Sequence, residues 1–126
     1  MKYKIIEKVQ PKDPKAEKKQ YASPVNAGNL TLKDLARSIA ANSSLSRGDI
    51  ENVLTNFVEE LPVFLKIGMS IKLGNLGTMR LSLKSEGVEK GKKFDASKIK
   101  GVKIIFTPSV EFKKSLGDIK FEENKK

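Results

Sequence analysis

Neither cysteine nor histidine occurs in this chain. Without cysteine there are no disulfides, no thiol nucleophile and no Cys-based zinc or iron–sulfur site. Without histidine the commonest metal ligand and general base is gone as well. Carboxylate and lysine catalysis remain formally open, yet no paired acids converge in an apolar setting that would move their pKa values apart. The expectation is a protein that is not an enzyme and needs no cofactor. Aromatic residues are scarce, at 6%. A single domain of 126 residues, 38% of them hydrophobic, can build one modest core, and so thin a core favours association into an oligomer. Long apolar runs are missing too. The opening Met1-Lys-Tyr-Lys-Ile-Ile-Glu-Lys8 lacks the apolar centre of a secretory signal, and no window reaches membrane-spanning length, so a cytoplasmic location is expected.

Positive charge, by contrast, is abundant and unevenly placed. The formal net charge is +10. Residues 1–29 hold seven lysines against three acids, and residues 80–103 hold eight basic residues against three acids; residues 30–68 are slightly acidic. Lysines dispersed for solubility would not separate in this way, so the pattern points to an anionic partner such as nucleic acid.

Periodicity divides the chain. Residues 1–9 alternate weakly, with Tyr3, Ile5 and Val9 on one face, and stop at Pro11 and Pro14. Residues 18–25 read as a second short strand that Pro24 confines to an edge. Asn26-Ala-Gly-Asn29 has linker chemistry. Thr31 with Asp34 forms a helix-start signature ahead of Leu32, Leu35, Ala36, Ile39 and Ala40, predicting a helix over 31–42. Ser46 with Asp49 repeats it ahead of Ile50, Val53, Leu54, Phe57, Val58, Leu61 and Leu65, predicting a longer helix over 46–67 capped by Gly68. Pro62 lies inside that helix, as a tolerated bend around a dimer core or as a hinge.

After Gly68 the period falls from about 3.6 to 2. Ile71, Leu73, Leu76, Met79, Leu81 and Leu83 alternate with polar residues, interrupted at Gly74 and Gly77, and Val102, Ile104 and Phe106 form a return strand. A sheet with an extended arm is expected over 70–107, then a terminal helix over 109–119 and a fraying tail over 122–126. The fold class is therefore α+β.

Within the arm, Gly87-Val-Glu-Lys-Gly-Lys-Lys93 lacks the spacing and the Ser or Thr of a nucleotide-binding loop. Asp95-Ala-Ser97 reads as a local turn, since no base accompanies the serine. The arm's basic residues are Arg80, Lys84, Lys90, Lys92, Lys93, Lys98, Lys100 and Lys103. On an extended ribbon Lys90 with Lys92, and Lys98 with Lys100, would share a face and neutralise phosphates. The competing reading is a solvated edge whose lysines suppress sheet aggregation. Phosphate contacts of this kind position a protein without specifying sequence and weaken with salt.

The order of parts resembles the HU/IHF family of bacterial DNA-bending proteins: helix, longer helix, Leu-Gly-x-Leu-Gly-Thr turn, basic arm, Phe-x-Pro return, short helix. Gly74-Asn-Leu-Gly-Thr-Met79 is similar to the family's Gly-x-Phe-Gly-Thr-Phe, and Phe106-Thr-Pro108 stands where the arm closes. The resemblance spans residues 30 to about 119, and residues 1–29 correspond to the N-terminal extension of one HU-related branch. It implies an intertwined homodimer, a base of helices, arms in the minor groove of double-stranded DNA, a bent duplex and a nucleoid location, with Lys114 facing the DNA. The tip departs from the family's Arg-Asn-Pro, for residues 88–98 contain neither proline nor arginine. Phe94 is then a candidate apolar wedge, or an aromatic folded back onto the arm. Two functions follow: largely sequence-nonspecific architectural DNA binding, or an HU-fold dimer used mainly for protein interaction and assembly. An RNA-binding domain would want an exposed aromatic pair for stacking, which is not apparent.

Overall fold

The computed structural model describes residues 1–9, 12, 15 and 17–125. It falls into two units, Met1–Thr31 with Gly117–Lys126 and Leu32–Leu116.

In the first unit, β1 (Lys2–Lys8) pairs antiparallel with β2 (Lys19–Pro24), from Tyr3 opposite Pro24 to Lys8 opposite Lys19. Pro11 and Pro14, expected to end β1, lie outside the described residues. Pro24 closes β2 on the outside of the sheet, where its missing N–H breaks no ladder. Asn26 Oδ1 accepts from the Gly28 amide at 2.9 Å, a side-chain turn that gives residues 26–29 their linker form. The third strand corrects the sequence reading of a fraying tail. Glu122–Glu123, here β6, adds parallel to β1 opposite Lys2 and Tyr3. The Glu122 amide donates to the Met1 carbonyl at 3.1 Å and that of Asn124 to the Tyr3 carbonyl at 2.8 Å. Those bonds satisfy backbone that a frayed tail would leave to water.

The second unit begins with α1 (Leu32–Ala41) and α2 (Arg47–Leu65). The Ser46 hydroxyl accepts from the Asp49 amide at 3.1 Å and so caps α2. Pro62 is accommodated within it, and the helix continues to Leu65. At the other end the Gly68 amide donates to Leu65 and the Met69 amide to Phe64, a paired C-terminal cap in which Gly68 takes φ +90°. The two helices pack together. Ala36 on α1 and Ile50 and Leu65 on α2 are the buried hydrophobic residues among those described.

A three-stranded antiparallel sheet follows: β3 (Ile71–Lys72), β4 (Gly77–Ser85) and β5 (Ile99–Pro108), with β4 central. Residues opposite one another share a face. Met79, Leu81 and Leu83 therefore stand with Phe106, Ile104 and Val102, while Arg80, Ser82 and Lys84 stand with Ile105, Lys103 and Gly101. The apolar face meets α2 along a groove of about 350 Å³ that Leu61, Pro62, Met79, Leu81, Val102 and Ile104 help to line. It is not closed over: Val102 is 55% and Ile104 66% exposed. Between β3 and β4 the Leu73 amide donates to Gly77 at 2.7 Å, and Gly74 adopts φ +59°. The terminal helix, α3, is confined to Val110–Lys114, shorter than the expected 109–119. Beyond it the chain turns and Gly117 enters the first unit.

Candidate nucleic-acid interface

Two antiparallel strands with a basic outer face form the stem of the arm. Arg80 and Lys84 are two pleats apart on β4, and Lys103 of β5 sits opposite Ser82 between them. Each of these cations is therefore a diagonal neighbour of Lys103, with about 7–8 Å between them in such a ladder. All three are exposed. None has an acidic partner within ion-pair distance among the described residues; the ion pairs there are Lys92–Glu89 and Lys100–Glu86. The sheet thus holds three like charges in a row at defined spacing, which favours a polyanion laid along it.

The distal part differs from the extended ribbon expected over 80–103. The ladder slips between Lys84 and Ser85, so that Ser85 faces Ile99 and Lys100 is the extra residue of a bulge. Beyond it the Glu86 amide donates to the Lys98 carbonyl at 2.8 Å and closes a loop. Asp95 starts a short 3₁₀ turn, Ala96–Lys98, its carboxylate accepting from the Ser97 amide at 3.1 Å. Gly91, with φ +95°, turns the tip, where the Lys92 amide donates to the Glu89 carbonyl at 3.0 Å. Lys90 and Lys92 consequently sit in a turn and do not alternate along a strand. Lys98 lies in the 3₁₀ turn, half-buried, and is not paired in register with Lys100. The physical reason is local: Asp95 offers the backbone a side-chain turn that competes with the ladder.

Two predicted phosphate ligands are engaged by acids of the same arm. The Lys92 ammonium is 3.4 Å from Glu89, and that of Lys100 is 3.6 Å from Glu86. Both pairs are solvent-exposed, so each contributes little and a phosphate can displace it. The Glu89–Lys92 spacing was visible in the sequence, whereas the Glu86–Lys100 pair depends on the bulge. Lys90 and Lys93 are exposed at the tip, and the Phe94 ring is 49% exposed rather than packed away. Lys114 ends α3, where a cation complements the helix dipole, and it too is exposed. Among the described residues no group of acids could hold a metal ion, and no helix is long and apolar enough to cross a membrane.

The sequence model of one family, HU-HIG, described as an HU domain fused to wHTH, Ig, or glycine-rich motif, matches residues 1–123. The chain belongs to the HU-HIG family. That match takes in β1 and β2 as well as the helices and arm, so the N-terminal strands are part of what the family model recognises. No curated protein matches the chain. Among solved structures, this HU-HIG chain is similar to a candidate bacterial DNA-binding protein from Bacteroides vulgatus ATCC 8482, with a TM-score of 0.62 and 16% identity. The likeness covers 97% of this chain and 47% of the other, so the chain spans about half the length of that relative. At this identity the likeness concerns the fold. An α+β chain with three helices and two sheets is compatible with an HU-like fold.

Proposed function

We propose that this chain is an architectural protein that binds double-stranded DNA with little sequence preference, as a homodimer, in the cytoplasm and at the nucleoid. The observation that carries the reading is the row formed by Arg80, Lys103 and Lys84 on one face of the β4–β5 stem, exposed and without acidic partners among the described residues. Membership of an HU-containing family supports it. Such a row addresses phosphates and carries no base-reading group. Lys90, Lys92, Lys93 and Lys100 add charge toward the tip, Lys98 at its base and Lys114 from α3.

Support for the homodimer comes from what the chain leaves uncovered. On α2, Val53 is 61%, Val63 55% and Phe64 45% exposed, and in the same unit the apolar face of β4 and β5 is open. Apolar area of this extent in one compact unit is the mark of an interface. Covering these three half-exposed side chains would contribute about 2–5 kcal/mol per chain in area bookkeeping, a sizeable share of the stability of a small domain.

Bending is assigned to Phe94, the one exposed aromatic of the arm loop, inserted between base pairs. A mobility-shift titration with duplex DNA at two salt concentrations tests the reading. Replacing Lys90, Lys92 and Lys93 by Ala should weaken binding and flatten its salt dependence; affinity no better than that of a lysine-matched control protein sinks the proposal. Phe94→Ala should reduce the bend angle more than the affinity, and an unchanged bend angle removes the wedge.

A further inference from the structure

The second basic segment, residues 1–29, has no part in the arm. In the first unit its lysines are sorted by the sheet. The β1–β2 register puts Lys4 with Ser23, Ile6 with Tyr21 and Lys8 with Lys19 on one face, and Lys2 shares that face by alternation. The other face takes Tyr3 with Pro24, Ile5 with Ala22 and Glu7 with Gln20, and has no cation. All four lysines are exposed, and none is ion-paired among the described residues; among the paired strand residues the acid on their face is Glu122, opposite Lys2 in β6.

Lys8 and Lys19 are the informative pair. Like charges directly opposite one another in an antiparallel ladder destabilise it, and among the described residues neither lysine of this pair is within ion-pair distance of an acid. An edge guarded against aggregation needs charge along its rim, on either face; here all the strand lysines gather on one. Tyr21, 42% exposed amid them, adds a hydroxyl able to donate to a phosphate oxygen.

We infer that the lysine face of the β2-β1-β6 sheet is a second phosphate-binding surface, independent of the arm, that takes the backbone of duplex DNA. This rests on the DNA-binding reading above. The surface adds phosphate contacts to those of the arm and raises the salt sensitivity of binding without adding sequence preference. Its ligand also neutralises the Lys8–Lys19 repulsion, so binding stabilises this sheet.

The test measures duplex affinity against salt for the full chain, for Lys4→Ala/Lys8→Ala/Lys19→Ala, for the arm triple Lys90→Ala/Lys92→Ala/Lys93→Ala, and for both together. Every phosphate that is no longer neutralised should reduce the double-logarithmic slope by about 0.9. A slope lowered by each triple, and lowered further by the two combined, supports a second surface. A slope that only the arm triple changes overturns this inference and leaves the arm reading standing. If the unaltered chain shows no salt-dependent duplex binding, both fall. Tighter binding to single-stranded DNA that Tyr21→Ala abolishes would also overturn it, in favour of base stacking. Lys19→Glu separates binding from misfolding: it sets an acid opposite Lys8, so the melting temperature should rise while duplex affinity falls. A fall in both would mean that the lysines serve the fold alone.

Discussion

The hydroxyl of Ser109 joins two elements at once, donating to the carbonyl of Asn75 and accepting from the amide of Phe112 at 3.0 Å. It therefore fastens the glycine turn between β3 and β4 to the start of α3, helped by the Ser109 amide, which donates to Leu76 at 3.1 Å. Removing the hydroxyl should cost both bonds. Ser109→Ala is expected to destabilise the protein by about 1–2 kcal/mol, the usual range for a missing N-cap, read as a lower urea midpoint with an unchanged slope. Ser109→Thr should retain most of it.

Gly77 and Gly74 are both left-handed, yet their substitutions should differ. At Gly77, φ +149°, a Cβ would collide with the Thr107 carbonyl and lie 2.9 Å from Phe106 Cε2 and Pro108 Cα. At Gly74, φ +59°, the space is open. Gly74→Ala should cost only the left-handed penalty of about 1–2 kcal/mol. Gly77→Ala adds a clash with the backbone of β5 and should be clearly worse in thermal unfolding. Equal losses at the two sites would show that the β4–β5 base yields.

Ile104 reports on the homodimer. At 66% exposure in a single chain, its replacement by Lys should hardly disturb an isolated fold. If its face meets a second copy, Ile104→Lys buries a charge there. Sedimentation should then show a shift toward monomer, and the unaltered protein should have a melting temperature that rises with concentration. A concentration-independent melt and an unchanged sedimentation profile argue against the dimer.

The acids of the arm oppose its proposed function. Glu86→Gln with Glu89→Gln frees Lys100 and Lys92 and removes two negative charges from the arm. Duplex affinity should rise at low salt, while stability changes by less than about 1 kcal/mol, since both pairs are exposed. Unchanged affinity would place these two lysines outside the DNA-binding surface.

Much of this was legible in the sequence because it rests on local rules. The apolar stripes from Leu32 and from Ile50 mark helices, Ser46 and Gly68 announce the ends of α2, and the alternation from Met79 to Leu83 gives the inward face of β4. Other features depend on distant partners. Glu122 and Glu123 have no strand signature of their own; they pair because β1 offers an edge more than a hundred residues away. The arm's lysines were evident as a group, but their directions were not. One register slip at Lys84/Ser85 and one carboxylate turn at Asp95 decide which still point along the stem.

The Glu86–Lys98 hydrogen bond sets a length. It closes the distal loop just beyond β4, so the regular stem is nine residues long, from Gly77 to Ser85. At about 3.4 Å per residue that is about 30 Å. Because B-form DNA advances about 3.4 Å per base pair, a stem lying straight along a duplex would span about nine base pairs. On the proposed reading, a backbone hydrogen bond thus sets the length of regular stem that can lie along a duplex, and the loop beyond it makes its contacts separately.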